Sequence, residues 1–399
     1  VVHDVAHPGL RSNVTTAAPP GLRGLSSRIS VMYAAIYLHY GAFGLFIPLW
    51  FAHRGLTPEQ IGALMSLPLL LRIFFVAPVT GLADRLRRIR EVLLACVIGA
   101  MALMSIMSFA HSYVQMLIFF TLFSVVWDPL PILADAYAVI AVRTQSFDFG
   151  RMRLWGSLSF IAANIASGSL VGFYSPEIVP WITALLLAIP IVPILLLPPD
   201  RNLGPPQKLE NKEWRKIVVD PVLIGVMVAA SLISASNAVL IVFGAIQMTA
   251  MGLSGTMIGV MWALGIGSEI VVLFVAQRLL GKHSPLWLIF IGGAVSIARW
   301  VLMATHPGVY ELAGLQLLNG VTGMGATAGL MLFIGHRVDT RLISTAQGIN
   351  AVILGVAAAL AAFGSGYAWH SLGYNAYLLA ALVAAFGAAL TIPALMKPR

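Results

Sequence analysis

The sequence predicts an all-α membrane protein, with twelve transmembrane helices arranged as two pseudo-symmetric six-helix halves. Composition, the spacing of apolar runs and an internal repeat carry that expectation. Of 399 residues, 59% are hydrophobic and 10% charged, whereas a soluble domain carries about 25% charged residues. Apolar runs long enough to cross a ~30 Å hydrocarbon layer, which takes about 20 helical residues, recur from Ile29 to Met396. Helices are required, because lipid offers backbone polar groups no outside partner and a β-barrel would show short alternating segments.

Residues 1–29 are rich in Pro, Ser, Thr and Gly and show no small-residue cleavage site ahead of a soluble domain. They read as a disordered cytoplasmic tail. Spans one to six are expected at 30–51, 58–80, 91–110, 113–139, 153–173 and 178–197, which makes an N-terminal half of 30–197. The polar stretch 198–219 reads as a cytoplasmic linker. Spans seven to twelve, at 220–246, 255–280, 285–303, 309–335, 343–369 and 374–396, fill a C-terminal half of 220–399.

The net charge of +9 invites a nucleic-acid reading, but its distribution decides otherwise. With a cytoplasmic amino terminus, the loops and tails on that side hold 21 of the 24 Lys and Arg residues. The opposite face holds Arg54 alone, and Arg72 and Arg299 lie inside spans. The positive-inside rule therefore puts both termini in the cytoplasm, in a cell inner membrane. No nucleic acid is expected as a partner. Cys96 is the single cysteine, and no His and Cys group has zinc-site spacing, so neither metal nor cofactor is implied. Phosphate-loop, His-Glu-x-x-His and serine-elbow motifs are missing, which argues against an enzyme.

The repeat appears at a shift of 197 residues, which places Gly55, Leu56, Ile61, Gly62 and Leu67 on Gly252, Leu253, Ile258, Gly259 and Leu264. Spans two and eight are thus equivalents. Two six-helix halves related by an axis along the membrane normal imply a solute site at their interface. The same shift sets Arg72 on Glu269, each roughly 21 Å down its helix at 1.5 Å per residue, near the bilayer middle.

The spans carry Arg72, Asp128, Asp135, Glu269 and Arg299, with Arg153 at the mouth of span five. A charge at a helix centre costs about 2.5 to 3.5 kcal/mol on insertion scales, so pairing or a wet cavity must offset it. Function is the default reading for such residues; architectural ion pairs are the alternative. Asp128 and Asp135 lie two turns apart with Pro129 and Pro131 between them, so span four should bend and free carbonyls. His39, beside Tyr40 and on nearly one face with Tyr33 and Tyr37, reads first as a hydrogen-bonded interior residue and second as a proton relay. Asn237, Gln247, Asn319 and Asn350 could touch solute or join helices, and Gly320, Gly323, Gly325 and Gly329 should permit close helix contact.

The segment Gly81-Leu-Ala-Asp84-Arg85-Leu-Arg87-Arg88 resembles the loop between spans two and three that marks the major facilitator superfamily. Gly81 is one position closer to Asp84 than usual, and Arg87 stands where glycine is common. That resemblance implies state-dependent gating contacts by Asp84, Arg85 and Arg88. Phe147-Asp148-Phe149-Gly150-Arg151-Met152-Arg153-Leu154-Trp155-Gly156-Ser157 resembles the span-five entrance of the lactose permease and phenylpropionate permease group of proton symporters. By that resemblance Asp135 and Arg153 match a substrate-binding acid and its arginine partner. Glu269 and Arg299 match a carboxylate and an arginine used in solute binding and proton coupling. Phe160 stands where the sugar permease has a stacking tryptophan, and Asn319 where relatives often have histidine. The resemblance covers the whole transmembrane region.

The expected activity is alternating-access, proton-coupled symport of a small organic solute, an aromatic carboxylate such as phenylpropionate, by a monomer in a lipid bilayer. Arg72, Arg153, Arg299, Phe160, Asn319 and Asn237 would bind solute. Glu269, before Asp135 or Asp128, would take the proton. A sugar or nucleoside symporter is the nearest rival, and a non-transporting sensor or assembly factor is the rival of a different class.

Overall fold

The computed structural model describes residues 24–145, 148–199, 217–279, 284–339 and 342–396. Nearly all of the expected tail and most of the expected linker lie outside the described residues. Within them every regular element is helical. Eleven stretches are long and apolar enough to cross a membrane, and the last, Thr345–Met396, is two helices (Ile343–Leu372 and Ala376–Met396) joined by the 3-10 turn Gly373–Asn375. Twelve spans result, in an all-helical membrane fold. Span one starts at Leu25 instead of 30, because Leu25 and Ile29 are buried and continue its apolar face.

Several spans are interrupted, and the sequence supplies local reasons. Span four is Tyr113–Trp127 followed by Pro129–Gln145, with Asp128 between. Pro131 has no N–H for the Trp127 carbonyl four residues back. The Tyr40 hydroxyl donates to that carbonyl instead, at 3.1 Å. Span seven divides into Pro221–Ala235 and Ala238–Ala250, and there the Ser236 hydroxyl turns back onto the Ile233 carbonyl at 2.6 Å, a local competitor of the helical ladder. Span ten runs Val309–Leu317, then a π-helical turn Gly320–Met324, then Gly325–Arg337.

The repeat is visible atom by atom at two helix ends. Span one (Leu25–His53) ends on Gly55 at φ 81°, and the second part of span seven ends on Gly252 at φ 79°. Leu56 N donates to Phe51 O at 3.2 Å and Leu253 N to Met248 O at 3.1 Å; Gly55 N and Gly252 N donate to Ala52 O and Thr249 O, both at 3.0 Å. These are the same left-handed caps, 197 residues apart. Arg87 ends span two (Pro58–Leu86) with φ 52°, and Arg88 N reaches Ala83 O at 3.1 Å. The glycine common at this place in the resembled loop therefore answers a left-handed backbone, which Arg87 adopts at about 1–2 kcal/mol.

Two seams join the halves, span two against span eleven (Ile343–Leu372) and span five (Phe149–Phe173) against span eight (Gly255–Leu279). Near the Gly55 end both are closed backbone to backbone: a Cβ on Gly366 would lie 2.6 Å from the Pro58 carbonyl, and one on Gly168 would collide with the carbonyl of Gly255. Along the same face of span eleven the contact then loosens. A Cβ on Gly355 would meet the Leu69 carbonyl at 3.6 Å, and one on Gly348 would meet nothing within 4 Å. The space between the halves thus opens away from Gly55. Beyond the seal, Arg54 ties three loops together, bonding Glu177 Oε2 at 2.6 Å, Ala110 O at 3.1 Å and Ser108 O at 3.2 Å.

Candidate functional site

In the first half, span one supplies Tyr33 and Tyr37, span four supplies Asp135 and span five supplies Arg153. The Tyr33 hydroxyl donates to Asp135 Oδ1 at 2.7 Å, and Arg153 Nη2 donates to the Tyr37 hydroxyl at 2.5 Å. The Arg153 guanidinium lies 4.0 Å above the Tyr37 ring and 5.5 Å above that of Tyr33, a favourable seat for a cation. Its Nε stands 3.7 Å from Asp135 Oδ1, a loose ion pair. Gly156, one turn along span five, leaves room for Tyr37, whose ring would be 2.9 Å from a Cβ there. Both charged side chains stay partly open, at 32% and 43% exposure. The pairing inferred from resemblance is present, and the tyrosines extend it.

In the second half Arg299 of span nine (Pro285–Ala304) is 1% exposed, with its Nε unpartnered among the described residues and its two terminal nitrogens engaged. Its Nη1 donates to Asn319 Oδ1 at 2.8 Å, Thr322 Oγ1 at 3.1 Å and Asn237 Oδ1 at 3.3 Å, and its Nη2 to Gln316 Oε1 at 3.0 Å. Asn319 Nδ2 in turn donates to Glu269 Oε1 at 2.6 Å. Glu269 and Arg299 are therefore bridged by an amide and do not touch directly, which is how a buried arginine is made tolerable without a direct ion pair. Asn319 uses both ends of its amide, accepting from Arg299 at Oδ1 and donating to Glu269 from Nδ2. The π-helical turn follows Asn319 at once, and such turns gather at functional sites. Gln316 and Thr322 were not anticipated, although polar residues at 316, 319 and 322 in an apolar span are a three-residue stripe that could have flagged them.

The remaining pair differs from both. Arg72 is exposed and Asp128 half-buried. No hydrogen bond or ion pair engages either side chain among the described residues. Charged side chains at such a depth face a bundle interior or a water-filled cavity rather than lipid.

Other expectations come out differently. His39 is interior but not hydrogen-bonded: among the described residues both ring nitrogens lack a partner, and the ring lies 4.5 Å from that of Tyr40. The aromatic cluster near the site is Tyr37, Tyr40 and Trp127, with centroids 5.5 and 4.2 Å apart, whereas Phe160 is half-buried with its carbonyl against Gly41. Gly320 and Gly329 do allow close contact, with Ser268 and Pro285, while a Cβ on Gly323 would sit 3.6 Å from Glu269 Oε1. Arg85 and Arg88 are exposed, and the side chain of Asp84 lies outside the described residues.

Comparison with known proteins bears directly on this arrangement. The model of the MFS_1 like family matches residues 27–386. The probable 3-phenylpropionic acid transporter of Escherichia coli (strain K12) is 24% identical over 360 residues, spanning 89% of this chain and 94% of that protein. The maltose permease of Geobacillus stearothermophilus is 27% identical over 342 residues, 83% of this chain and 84% of that one. Among solved structures, the nucleoside transporter NupG superposes with a TM-score of 0.81 at 17% identity, covering 94% of this chain and 100% of that chain, a likeness of fold.

Proposed function

This chain belongs to the MFS_1 like family and is a multi-pass secondary transporter of the major facilitator superfamily rather than an enzyme, and we propose that its solute is a small aromatic carboxylate co-transported with a proton. The observation that carries the reading is the set of charges from both halves at the level where the seams part, with one arginine left open to the intervening space. The name of the Escherichia coli relative supports the solute class. Charged groups in a membrane interior mark solute and proton pathways. Asp135, Asp128 and Glu269 are the carboxyls available to a proton, and Arg72, Arg153 and Arg299 with Asn237, Asn319 and Phe160 surround the solute path.

In this reading 30–197 and 220–399 are the two moving halves and 198–219 is the cytoplasmic linker after a cytoplasmic tail, 1–29. Both termini are cytoplasmic in a cell inner membrane, so the open end of the interface faces the cytoplasm. Asp84, Arg85 and Arg88 are gating residues there. The protein works as a monomer.

The test is uptake of 3-phenylpropionate into proteoliposomes under an imposed proton gradient. Accumulation abolished by an uncoupler, with counterflow exchange retained, is the expected result. Accumulation that survives the uncoupler and needs sodium overturns the proton. Uptake of maltose or a nucleoside in place of 3-phenylpropionate would support the sugar or nucleoside reading, which the maltose permease and NupG likenesses favour.

A further inference from the structure

Asp135 and Arg153 stand close enough to form a tight ion pair, and they do not form one. Arg153 Nε is 3.7 Å from Asp135 Oδ1, and no hydrogen bond links the two side chains among the described residues. An arginine fork seated on a carboxylate has donor–acceptor distances of about 2.7–2.9 Å.

Two tyrosines of span one occupy the atoms that would otherwise meet. Tyr33 is 0% exposed, so its hydroxyl needs an internal partner. It donates to Asp135 Oδ1 at 2.7 Å, and that is the oxygen facing Arg153 Nε. Its ring is perpendicular to that of Phe149 at the start of span five, with centroids 6.3 Å apart. Tyr37, one turn on, serves the cation. Its hydroxyl accepts from Arg153 Nη2 at 2.5 Å, and its ring centroid lies 4.0 Å from the guanidinium carbon. Gly156 admits this arrangement, since a Cβ there would lie 2.9 Å from Tyr37 Cδ2 and 3.2 Å from Arg153 Nη1. Each charge thus has a neutral partner of its own: a phenol hydrogen for the carboxylate, a phenol oxygen and a ring face for the guanidinium.

We propose that Tyr33 and Tyr37 are positioning residues that hold Asp135 and Arg153 apart, so that the Arg153 fork stays available to the carboxylate of a solute. The proposal rests on the aromatic-carboxylate reading above and deepens it. Arg153 is 32% exposed and its only hydrogen bond among the described residues is the one to Tyr37, so most of its donors are open to a ligand. When a solute takes them, Asp135 keeps the bond from Tyr33. It is then spared the penalty of a charge stripped of its partner in a buried pair. Without the two hydroxyls, Asp135 and Arg153 would each lack a partner and would close on one another. A solute carboxylate would then compete with Asp135 for the same fork.

The experiment is a double-mutant cycle between Asp135→Asn and Arg153→Gln, read by thermal unfolding of the purified full-length protein, in the wild-type and in the Tyr33→Phe/Tyr37→Phe background. The coupling between positions 135 and 153 should be about twofold larger, or more, in the Phe background. Tyrosines that only support the fold would lower every melting temperature and leave the coupling unchanged, and that result overturns the proposal. Monodispersity checks folding, and Tyr33→Phe alone is the background if the double variant fails it. Calorimetric binding of 3-phenylpropionate is the second measurement. Affinity should fall about fivefold in Tyr33→Phe, in line with one lost hydrogen bond, and should not fall when Tyr33→Phe is made in Asp135→Asn, where no competing carboxylate remains. Tyr33→Phe that binds as wild type does, or that loses as much affinity in Asp135→Asn, overturns the claim that the tyrosines keep Arg153 available. Wild type that fails to bind 3-phenylpropionate overturns the solute reading, while the coupling still decides whether the tyrosines hold the two charges apart.

Discussion

The two halves share a backbone and differ in what they do with their charges. In the second half Arg299 is buried and donates to Asn237, Gln316, Asn319 and Thr322 through its two terminal nitrogens, and Glu269 is held through Asn319. In the first half the Asp135 and Arg153 pair is 3.7 Å apart and partly exposed, and Arg72 and Asp128 make no hydrogen bond or ion pair among the described residues. A symmetric scaffold thus carries one closed polar network and one open one. In the second half the polar side chains bond one another, and in the first half they are left more open to other partners.

That contrast breaks most readily at the two arginines. Arg299→Ala would leave four buried side-chain oxygens without their donor, and loss of one member of a buried charged network costs on the order of 3 to 5 kcal/mol. The expected outcome is a protein that loses thermal stability in detergent whether or not solute is present. Arg153→Gln should cost under about 1 kcal/mol, as expected of a partly exposed ion pair, while reducing solute uptake at least tenfold. Thermal unfolding and proteoliposome uptake measured on both variants give the two readouts. Equal stability losses would remove the distinction between the halves.

Asn319→Leu gives the next effect in size. It leaves Arg299 with Asn237, Gln316 and Thr322 but cuts the only hydrogen bond to the Glu269 side chain among the described residues. A buried acceptor left unsatisfied costs about 1 to 3 kcal/mol. The loss should shrink in Asn319→His only if the ring can reach one of the two partners, and a double-mutant cycle with Glu269→Gln measures the coupling. A cycle that shows no coupling means that the bridge carries nothing.

Twelve spans, their order and the equivalence of spans two and eight were legible, because span length, apolar runs and the Gly55 and Gly252 caps are local properties of the chain. So was the break of span four, since Pro131 removes a donor wherever it sits. Partnership was less legible. Gln316 and Thr322 form a polar stripe with Asn319 that the sequence shows, but that all three bond Arg299 is visible only in the packed structure. The aromatic cluster of Tyr37, Tyr40 and Trp127 was not legible, because it depends on how spans one and four pack. Engagement of a charge depends on three-dimensional neighbours, and a one-dimensional pattern carries only its depth.

The seams offer a smaller test of the same asymmetry. At the closed end, span two and span eleven are joined by Glu59 Oε1 and His370 Nδ1 at 2.7 Å, while at the equivalent place, 197 residues on from Glu59, Thr256 meets Ser169 hydroxyl to hydroxyl at 2.9 Å. Glu59→Gln should raise the population open at this end, and Ser169→Ala by less. Electron spin resonance distances between labels at Thr57 and Leu372 measure it. A larger shift from Ser169→Ala would reverse the contrast between seams.

The smallest expected effect lies at the helix starts. Span one begins after Gly24, which offers no side-chain cap, whereas span seven begins after Asp220, whose Oδ1 accepts from Val222 N at 3.0 Å and Leu223 N at 3.1 Å. The same carboxylate accepts from Arg337 Nε at 2.7 Å and Nη2 at 3.1 Å, which joins the starts and ends of two spans of the second half. The Arg337 hydrogen bonds, followed by those from the backbone amides, hold the Asp220 carboxyl below its usual range. With a folded value below the unfolded one of about 3.9, its contribution is complete above that pH and is lost as pH falls through the folded value. Asp220→Asn keeps the cap, since Asn caps about as well as Asp, and removes only the charge pair. Because that pair is largely open to water, the loss should be well under 1 kcal/mol. Thermal unfolding of wild type and Asp220→Asn should therefore differ by a small constant amount between pH 5 and pH 8 and converge in acid. A difference that grows as pH falls would mean that Asp220 is not held as a carboxylate by Arg337, and the second half would lose one of the contacts that set it apart.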